Sequence, residues 1–438
     1  VLKINLLPRD PGDPEVTPYW DDFCASIAGV LPVHSEAQAV ESGSWFSIAR
    51  SFDTEVKPDS RKPSSFKIIR SRKIRVYPTA DQRQAFKALF GTTRFGYNST
   101  VAYLKTPGTK ANWMAIKKPL LDSMPEWTHS LPHQSKSQSI NDACKAVKAA
   151  KKKFKLTGEF QEVRFRSKKS PNQNAYIPKT AVTDKGIYYT IFGKLLASEK
   201  IPKADHDCRL VLQNDRYYLI VPQDVDAETC ENQAGFVSLD PGLRTFLVAY
   251  SECGVEEYGA ASYSRIARLC YALDELIGRT VKASGASKRR MKKAQLRLRN
   301  RIQDLIAELH HKVACFLTRT YKVIAIPEFN FHPMSGKLLR KTVRGLATLA
   351  HGRFRQVLAS HAEKRSCKIV FQNEAYTSKT CSSCGHLQEI GSASRWQCQG
   401  CGIRHNRDIN GARGIHLRAL RDNSWIREHV SCISGASC

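Results

Sequence analysis

The sequence predicts a multidomain chain of mixed α/β and β structure, and three observations carry that expectation. At 438 residues it is long enough for about three domains of roughly 150 residues each. Its patterning changes at Gly235, from basic strands and helices before it to buried strands alternating with helices after it. Two Cys-x-x-Cys pairs, Cys381/Cys384 and Cys398/Cys401, are separated by 13 residues, while the other ten of the 14 cysteines are scattered singly.

Lysine and arginine number 69 against 40 acidic residues, a net charge of +29. That excess points to a polyanionic partner rather than to solubility alone. It is not carried by a tail. Residues 1–60 hold four basic and ten acidic residues, with Pro8, Pro11, Pro14 and Pro18 breaking any long element. This acidic extension is expected to be poorly ordered or peripherally docked. From Arg61 onward, 65 basic residues face 30 acidic ones. Hydrophobic residues make up 42% of the chain, enough for substantial cores. No apolar run approaches the ~18 residues of a membrane span, and Val1–Asp13 lacks the apolar centre of a signal peptide. Membrane and secreted classes are therefore disfavoured, and no membrane partner is expected.

In chain order, Ser65–Tyr77 reads as a basic strand stopped by Pro78, and Thr79 as the cap of a helix over Gln82–Phe90 that resumes over Arg94–Tyr103. Ser137–Phe154 predicts a helix with a cationic end, Lys145 to Lys155. Gln161–Phe165, Gly186–Phe192 and Arg209–Val221 have strand composition, so this region is expected to form a small barrel with a helical insertion. Phe236–Asp240 and Thr245–Ser251 predict a hairpin around Pro241-Gly242. Helices are expected near Tyr263–Ile277, over Lys288–Tyr321 and over Arg344–Arg365, strands at Val323–Ile326 and Lys368–Phe371, and a last helix at Asp408–Leu420. Candidate nucleic-acid contacts lie in the basic runs: Lys73, Arg75, Arg94, Lys151, Lys152, Lys153, Arg164, Arg166, Arg289, Arg290, Lys293 and Arg297. Solvated surface explains such runs equally well one at a time; their repetition favours phosphate. Among the aromatics near the insertion, Tyr97, Trp113 and Trp127 are candidate base contacts, with core packing the commoner fate.

Each cysteine pair presents two sulfurs from one turn, so Cys381, Cys384, Cys398 and Cys401 supply the four thiolates of one structural Zn²⁺. Redox chemistry would need only one such pair. The acids are weaker signals singly. Asp240 ends an apolar strand, where turn capping is the common role. Asp408 stands at a helix start, where N-capping is. Glu328 follows Val323–Ile326 after Pro327, and Glu374 follows Lys368–Phe371. Acids converging from strand ends onto one sheet edge are what two Mg²⁺ ions need for phosphoryl chemistry, and nucleic acid is the matching substrate for so basic a chain.

The string Leu239-Asp240-Pro241-Gly242, the run Tyr376–Gly385 with Thr377-Ser378 and the first Cys-x-x-Cys, the block Arg407–Ile415 and the opening Lys73–Thr79 with Gln82, Gly91, Arg94, Tyr97 and Asn98 together resemble the TnpB proteins and their eukaryotic relatives, the Fanzors. The resemblance spans about Phe66 to Leu420. It implies a wedge-type β-barrel (61–80 and 156–234) carrying a helical recognition insertion (81–155), an RNase H-like RuvC nuclease domain (235–375 and 405–420) with an inserted four-cysteine zinc ribbon (376–404), and a tail (421–438). It implies an RNA-guided DNA endonuclease, monomeric in its ribonucleoprotein, with a transposon-derived guide RNA, double-stranded target DNA and a short flanking DNA motif as partners. Two Mg²⁺ ions would be held by Asp240, Glu374 and Asp408. TnpB proteins carry the middle glutamate directly after the fourth strand, where this chain has Pro327. Fanzor-type members resemble it in placing an alternative glutamate before Tyr-Thr-Ser, here Glu374, with Glu328 as the rival. A eukaryotic host implies the nucleus, with Lys288–Arg301 doubling as an import signal, and a bacterial host the cytoplasm. A guide-independent transposase and a catalytically silent RNA- or DNA-binding regulator are the alternative classes.

Overall fold

Along Lys67–Val76, cationic residues alternate with apolar ones, and the far end of the strand buries Ile74 and Val76. This strand belongs to the first of two compact units in the computed structural model, which describes residues 2–4, 67–228, 234–328, 339–373, 376–390 and 393–431. The first unit comprises described residues 67–226, the second 2–4 and 227–431.

In the first unit, β2 (Lys67–Val76) runs into α1 (Ala80–Lys105) through Pro78 and a reciprocal cap: Gln82 N–H donates to Thr79 Oγ1, and Thr79 N–H donates to Gln82 Oε1. The helix continues unbroken through Gly91, where an interruption was expected. α2 (Trp113–Asp122) and α3 (His133–Thr157) follow, and Gly158, at φ 71°, terminates the cationic end of α3. The sheet is an antiparallel meander in the order β2, β7 (Arg216–Asp226), β6 (Cys208–Gln213), β3 (Asn172–Ile177). Val182–Thr183 (β4) and Gly186–Ile187 (β5) form a separate two-stranded ribbon. Ile74, Phe86, Leu89, Ile177, Leu210 and Leu219 make one core.

Three expected strands differ. Arg209–Val221 is two strands, because Asn214 and Asp215 both take positive φ (48° and 65°) and turn the chain back on itself. Gly186–Phe192 pairs only over its first two residues and then closes into a helical turn, Tyr189–Phe192. Gln161–Phe165 has strand composition but no ladder partner; it lies along α1, where Asn98 accepts from Arg166 N at 2.7 Å and donates to Arg166 O at 3.0 Å. Pairing is non-local, so composition alone cannot guarantee an edge to pair with.

The second unit is built on a six-stranded mixed sheet in the order β1 (Leu2–Ile4), β10 (Gly254–Tyr258), β9 (Leu247–Ser251), β8 (Ala234–Pro241), β11 (Tyr321–Pro327), β12 (Lys368–Gln372). β8, β9 and β10 form an antiparallel meander, and β11 and β12 add in parallel beside β8. The sheet is therefore mixed, with β8 paired antiparallel on one side and parallel on the other. Leu2–Ile4 is a parallel edge strand, so the acidic extension, 1–60, contributes at least these residues to the fold; Val1 and 5–60 lie outside the described residues.

One sheet face buries Val237, Leu239, Ile324 and Ile326 beneath α4 (Ser262–Lys282) and α5 (Gly285–Thr320). The other face presents Phe236, Val323 and Ala325 to α8 (Arg407–Asp422), which contributes Ile415 and Ala419. The helix expected over Arg344–Arg365 is two, α6 (Arg340–Leu349) and α7 (His351–Lys364), broken where Ala350 adopts φ 49°. The expected tail contains α9 (Ser424–Ser431). Among the described residues, no helix is long and apolar enough to cross a membrane.

Candidate functional site

Two centres lie around α8. The first is the cysteine cluster. Cys381-Ser-Ser-Cys384-Gly385 and Cys398-Gln-Gly-Cys401-Gly402 fold into two copies of one turn. In each, the first cysteine N–H donates to the carbonyl five residues on (His386 O, 2.8 Å; Ile403 O, 2.9 Å), and the glycine N–H returns to the first cysteine's carbonyl at 2.9 Å. Both glycines need positive φ, 79° and 73°. All four sulfurs lie within 4.8 Å of one another. Cys381–Cys401 and Cys384–Cys398 are 3.8 and 3.5 Å apart, close to the ~3.8 Å edge of a tetrahedron with Zn–S of about 2.3 Å. The donor set therefore fits zinc. Burial works against ionising the Cys398 thiol, but backbone N–H groups of Cys401 and Gly400 outweigh it and bring the group down to about 6. His405 Nε2 sits 3.1 Å from Cys381 Sγ, its ring packed on Trp396. Burial and the nearby Arg413 lower the His405 pKa, favouring the neutral ring beside the sulfur.

The second centre is carboxylate. On β8, Ser238 and Asp240 share the face toward α8: Ser238 Oγ donates to Ala412 O at 2.8 Å, and Asp240 lies against Gly411, with Cγ 3.2 Å from where a Cβ would stand and Oδ2 in collision with it. Only glycine admits that carboxylate. Asp408 is in the first turn of the same helix, three residues before Gly411 and so on its face. The cap is Asn406, whose Oδ1 accepts from Asp408 N at 3.0 Å. Asp408 is therefore not the N-cap, the bland role considered for it.

Asn410, buried, ties the two centres together. Its Oδ1 accepts from Ser382 N at 2.9 Å, inside the first cysteine turn, and its Nδ2 donates to Thr380 O (2.9 Å) and Thr377 O (3.4 Å). The block Asn406–Ala412 thus reads as cap, acid, clamp, clearance and strand anchor. Sequence reasoning missed Asn410, Gly411, His405 and the turn glycines; the repeated Cys-x-x-Cys-Gly was the available signal for the last.

Glu328 is exposed and follows β11 with the parity of Ile324 and Ile326, which face α4 and α5, away from Asp240. Pro327 pairs with Gln372, and Gln372 Nε2 reaches Asp422 of α8 at 2.6 Å. Glu374 lies outside the described residues, two positions beyond Gln372 in sequence.

The basic candidates fall into two sets. Lys151, Lys152, Arg164, Arg289, Arg290, Lys293 and Arg297 are exposed. Lys153 is 4.0 Å from Glu159. Lys73 bonds Gln213 and lies over Tyr218, Arg75 lies over Tyr77, and Arg94 bonds Gln173. Arg166 stacks on Tyr97 at 3.8 Å and pairs with Asp142. Of the three aromatics, Tyr97 is buried and Trp113 donates to Ser137 O, whereas Trp127 is exposed.

Comparison with known proteins adds a second line. Residues 351–415 match the Cas12f1-like TNB domain model, which takes in all four cysteines, Asp408 and Asn410. Residues 68–106 match a model described as a helix-turn-helix domain, though here they form a strand and one helix. The chain is 26% identical to "TnpB-like protein L79" of Acanthamoeba polyphaga mimivirus, over 82% of this chain and 75% of that protein. Over most of its length the chain is similar to TnpB-like proteins. To "Putative RNA-guided DNA endonuclease InsQ" of Escherichia coli (strain K12), the chain is 24% identical over 80% of its length and 92% of the relative's. The solved structure "Cryo-EM structure of the Cas12f1-sgRNA-target DNA complex" matches 80% of this chain and 98% of that one, at 12% identity and TM-score 0.47.

Proposed function

We propose that this chain is an RNA-guided DNA endonuclease of the Fanzor type, hydrolysing phosphodiesters at Asp240, Asp408 and Glu374. The observation that carries the reading is the packing of Asp240 against Gly411, one turn from Asp408. Two acids from elements far apart in sequence meet at a helix N-terminus, whose dipole favours negative charge. Oxygen donors of this kind suit Mg²⁺; bound there, two ions would activate a water and stabilise the leaving oxygen. Asp240 and Asp408 would hold them, Ser238 and Gly411 fixing the first and Asn406 the helix end that presents the second. The parity of Glu328 supports Glu374 as the third acid. The names of the relatives support a guide RNA and a DNA target, read by pairing and by a short flanking motif. On this reading the first unit is the wedge barrel with its recognition insertion, the cysteine centre holds one structural Zn²⁺, and a monomeric protein forms the ribonucleoprotein. In a eukaryotic host the cationic Lys288–Arg301 stretch would also serve nuclear import; in a bacterial host the protein would be cytoplasmic.

The test is to purify the chain with its nucleic acid, sequence the RNA, and measure Mg²⁺-dependent cleavage of a matching duplex leaving 5′-phosphate ends. Asp240→Ala and Glu374→Gln should each abolish cleavage, and Glu328→Gln should retain it. Cleavage without RNA would favour the guide-independent transposase. Glu374→Gln active with Glu328→Gln dead would reverse the glutamate assignment, and retained activity in Asp240→Ala would sink the carboxylate site.

A further inference from the structure

The first unit holds an open cleft of about 530 Å³ whose wall is made by Arg94, Phe95 and Asn98 of α1, Trp127 and Phe165. Three of its side chains are large exposed aromatics: Trp127 is 53% exposed, Phe165 52% and Phe95 36%. Aromatic surface left in water on one concavity marks a binding site.

These rings are held in place. Phe95 meets Trp127 edge to face at 6.1 Å, and the turn carrying Trp127 is fixed by Thr128 Oγ1 donating to Pro125 O at 2.7 Å. Phe165 is held by the two Asn98 bonds to the adjacent Arg166 backbone. Cations frame the cleft. Lys105 Nζ, which also pairs with Glu162, lies 4.8 Å over the Phe165 ring, and an Arg94 nitrogen and the Trp127 ring lie 3.9 and 3.7 Å from the same point above Gly91. Described residues 67–226 carry 30 basic against 13 acidic residues, so the surroundings favour a polyanion over an apolar peptide. Exposed π-faces beside guanidinium and ammonium groups are what an unpaired nucleobase and its phosphate need.

We infer that this cleft stacks one unpaired base of the bound RNA against Trp127 and Phe165, with Arg94 at its phosphate. RNA is the occupant because its loops and bulges expose unpaired bases, whereas duplex DNA keeps its bases paired and stacked. The inference rests on the RNA-guided reading and assigns a base-binding site within it.

Wild-type protein, Trp127→Leu, Trp127→Phe and Phe165→Leu, stripped of nucleic acid, are titrated with the RNA recovered from the wild type, and a 4-thiouridine-substituted copy is photocrosslinked and mapped. Both leucine variants should weaken binding about tenfold, Trp127→Phe should stay close to wild type, and an unpaired nucleotide should crosslink to Trp127 or Phe165. Leucine variants that bind within about twofold of wild type, or crosslinks formed at these rings only by target DNA, would overturn the inference while leaving RNA guidance standing. A wild-type preparation that yields no defined RNA would overturn both.

Discussion

The cysteine and carboxylate centres are neighbours on α8, yet they are assembled in opposite ways. The four clustered sulfurs come from two short turns, each complete within six residues and each the same in its hydrogen bonds and glycine. The carboxylates come from positions 240 and 408, and their meeting depends on a strand's parity, a helix's register and one missing side chain. A locally built site tolerates changes around it and fails only when a ligand is lost. A site assembled at a distance fails when any supporting contact shifts. Asn410 is where the two modes meet, being part of the acid-bearing helix and bonded into a cysteine turn.

The largest expected effect breaks the local site. Cys381→Ser should lose bound zinc outright, measured by metal analysis, and with it all cleavage, since the first turn is also what Asn410 holds. Next, Gly411→Ala should leave zinc content unchanged yet reduce cleavage on the order of a hundredfold, because the added methyl displaces Asp240; single-turnover rates check this, and unchanged activity would break the distinction between the centres. Asn410→Ala should lower stability by about 1–3 kcal/mol through the buried polar groups left unpaired, with a smaller loss of rate, read by thermal melting beside cleavage. The smallest effect concerns pH. Burial holds His310, His351 and His416 at about 4, 3 and 4, below the ~6.5 of an unfolded histidine. Only the unfolded chain then takes up protons between those values. Stability of the second unit is therefore full above about pH 6.5 and falls as pH drops toward 4. Among the described residues the first unit buries no histidine, so calorimetry at pH 5 should show the second unit melting first.

The contrast also explains what the sequence made legible. Cys-x-x-Cys spacing is metal geometry written along the chain, and the cap begun by Thr79 spans only four residues, so both could be read directly. The central strands β8, β9 and β11 were readable because burial on both faces makes them nearly continuous apolar runs, whereas the half-exposed β10, Gly-Val-Glu-Glu-Tyr, was not. Gln161–Phe165 misled because its composition suited a strand while its neighbour was a helix. The break at Ala350 falls on a residue that rarely takes positive φ, and the nearby Gly352 lies inside the next helix instead. Asp408 looked like a cap because acids favour that place; only the structure gives the role to Asn406, two residues earlier. For Glu328 the described faces of β11 show only that it continues the parity of Ile324 and Ile326, while Glu374 lies outside the described residues.

Asn406 is at once the last residue of the hairpin strand Arg404–Asn406 (β14), paired with Arg395–Gln397 (β13), and the cap of α8. There is no spacer between ribbon and helix. One inserted residue after Asn406 would turn Asp408 by ~100° about the helix axis, whereas an insertion at the far end of the ribbon would leave that angle untouched. The ribbon can therefore lengthen or shrink over generations at its outer tip alone, and its inner border is a fixed datum from which the position of Asp408 is measured.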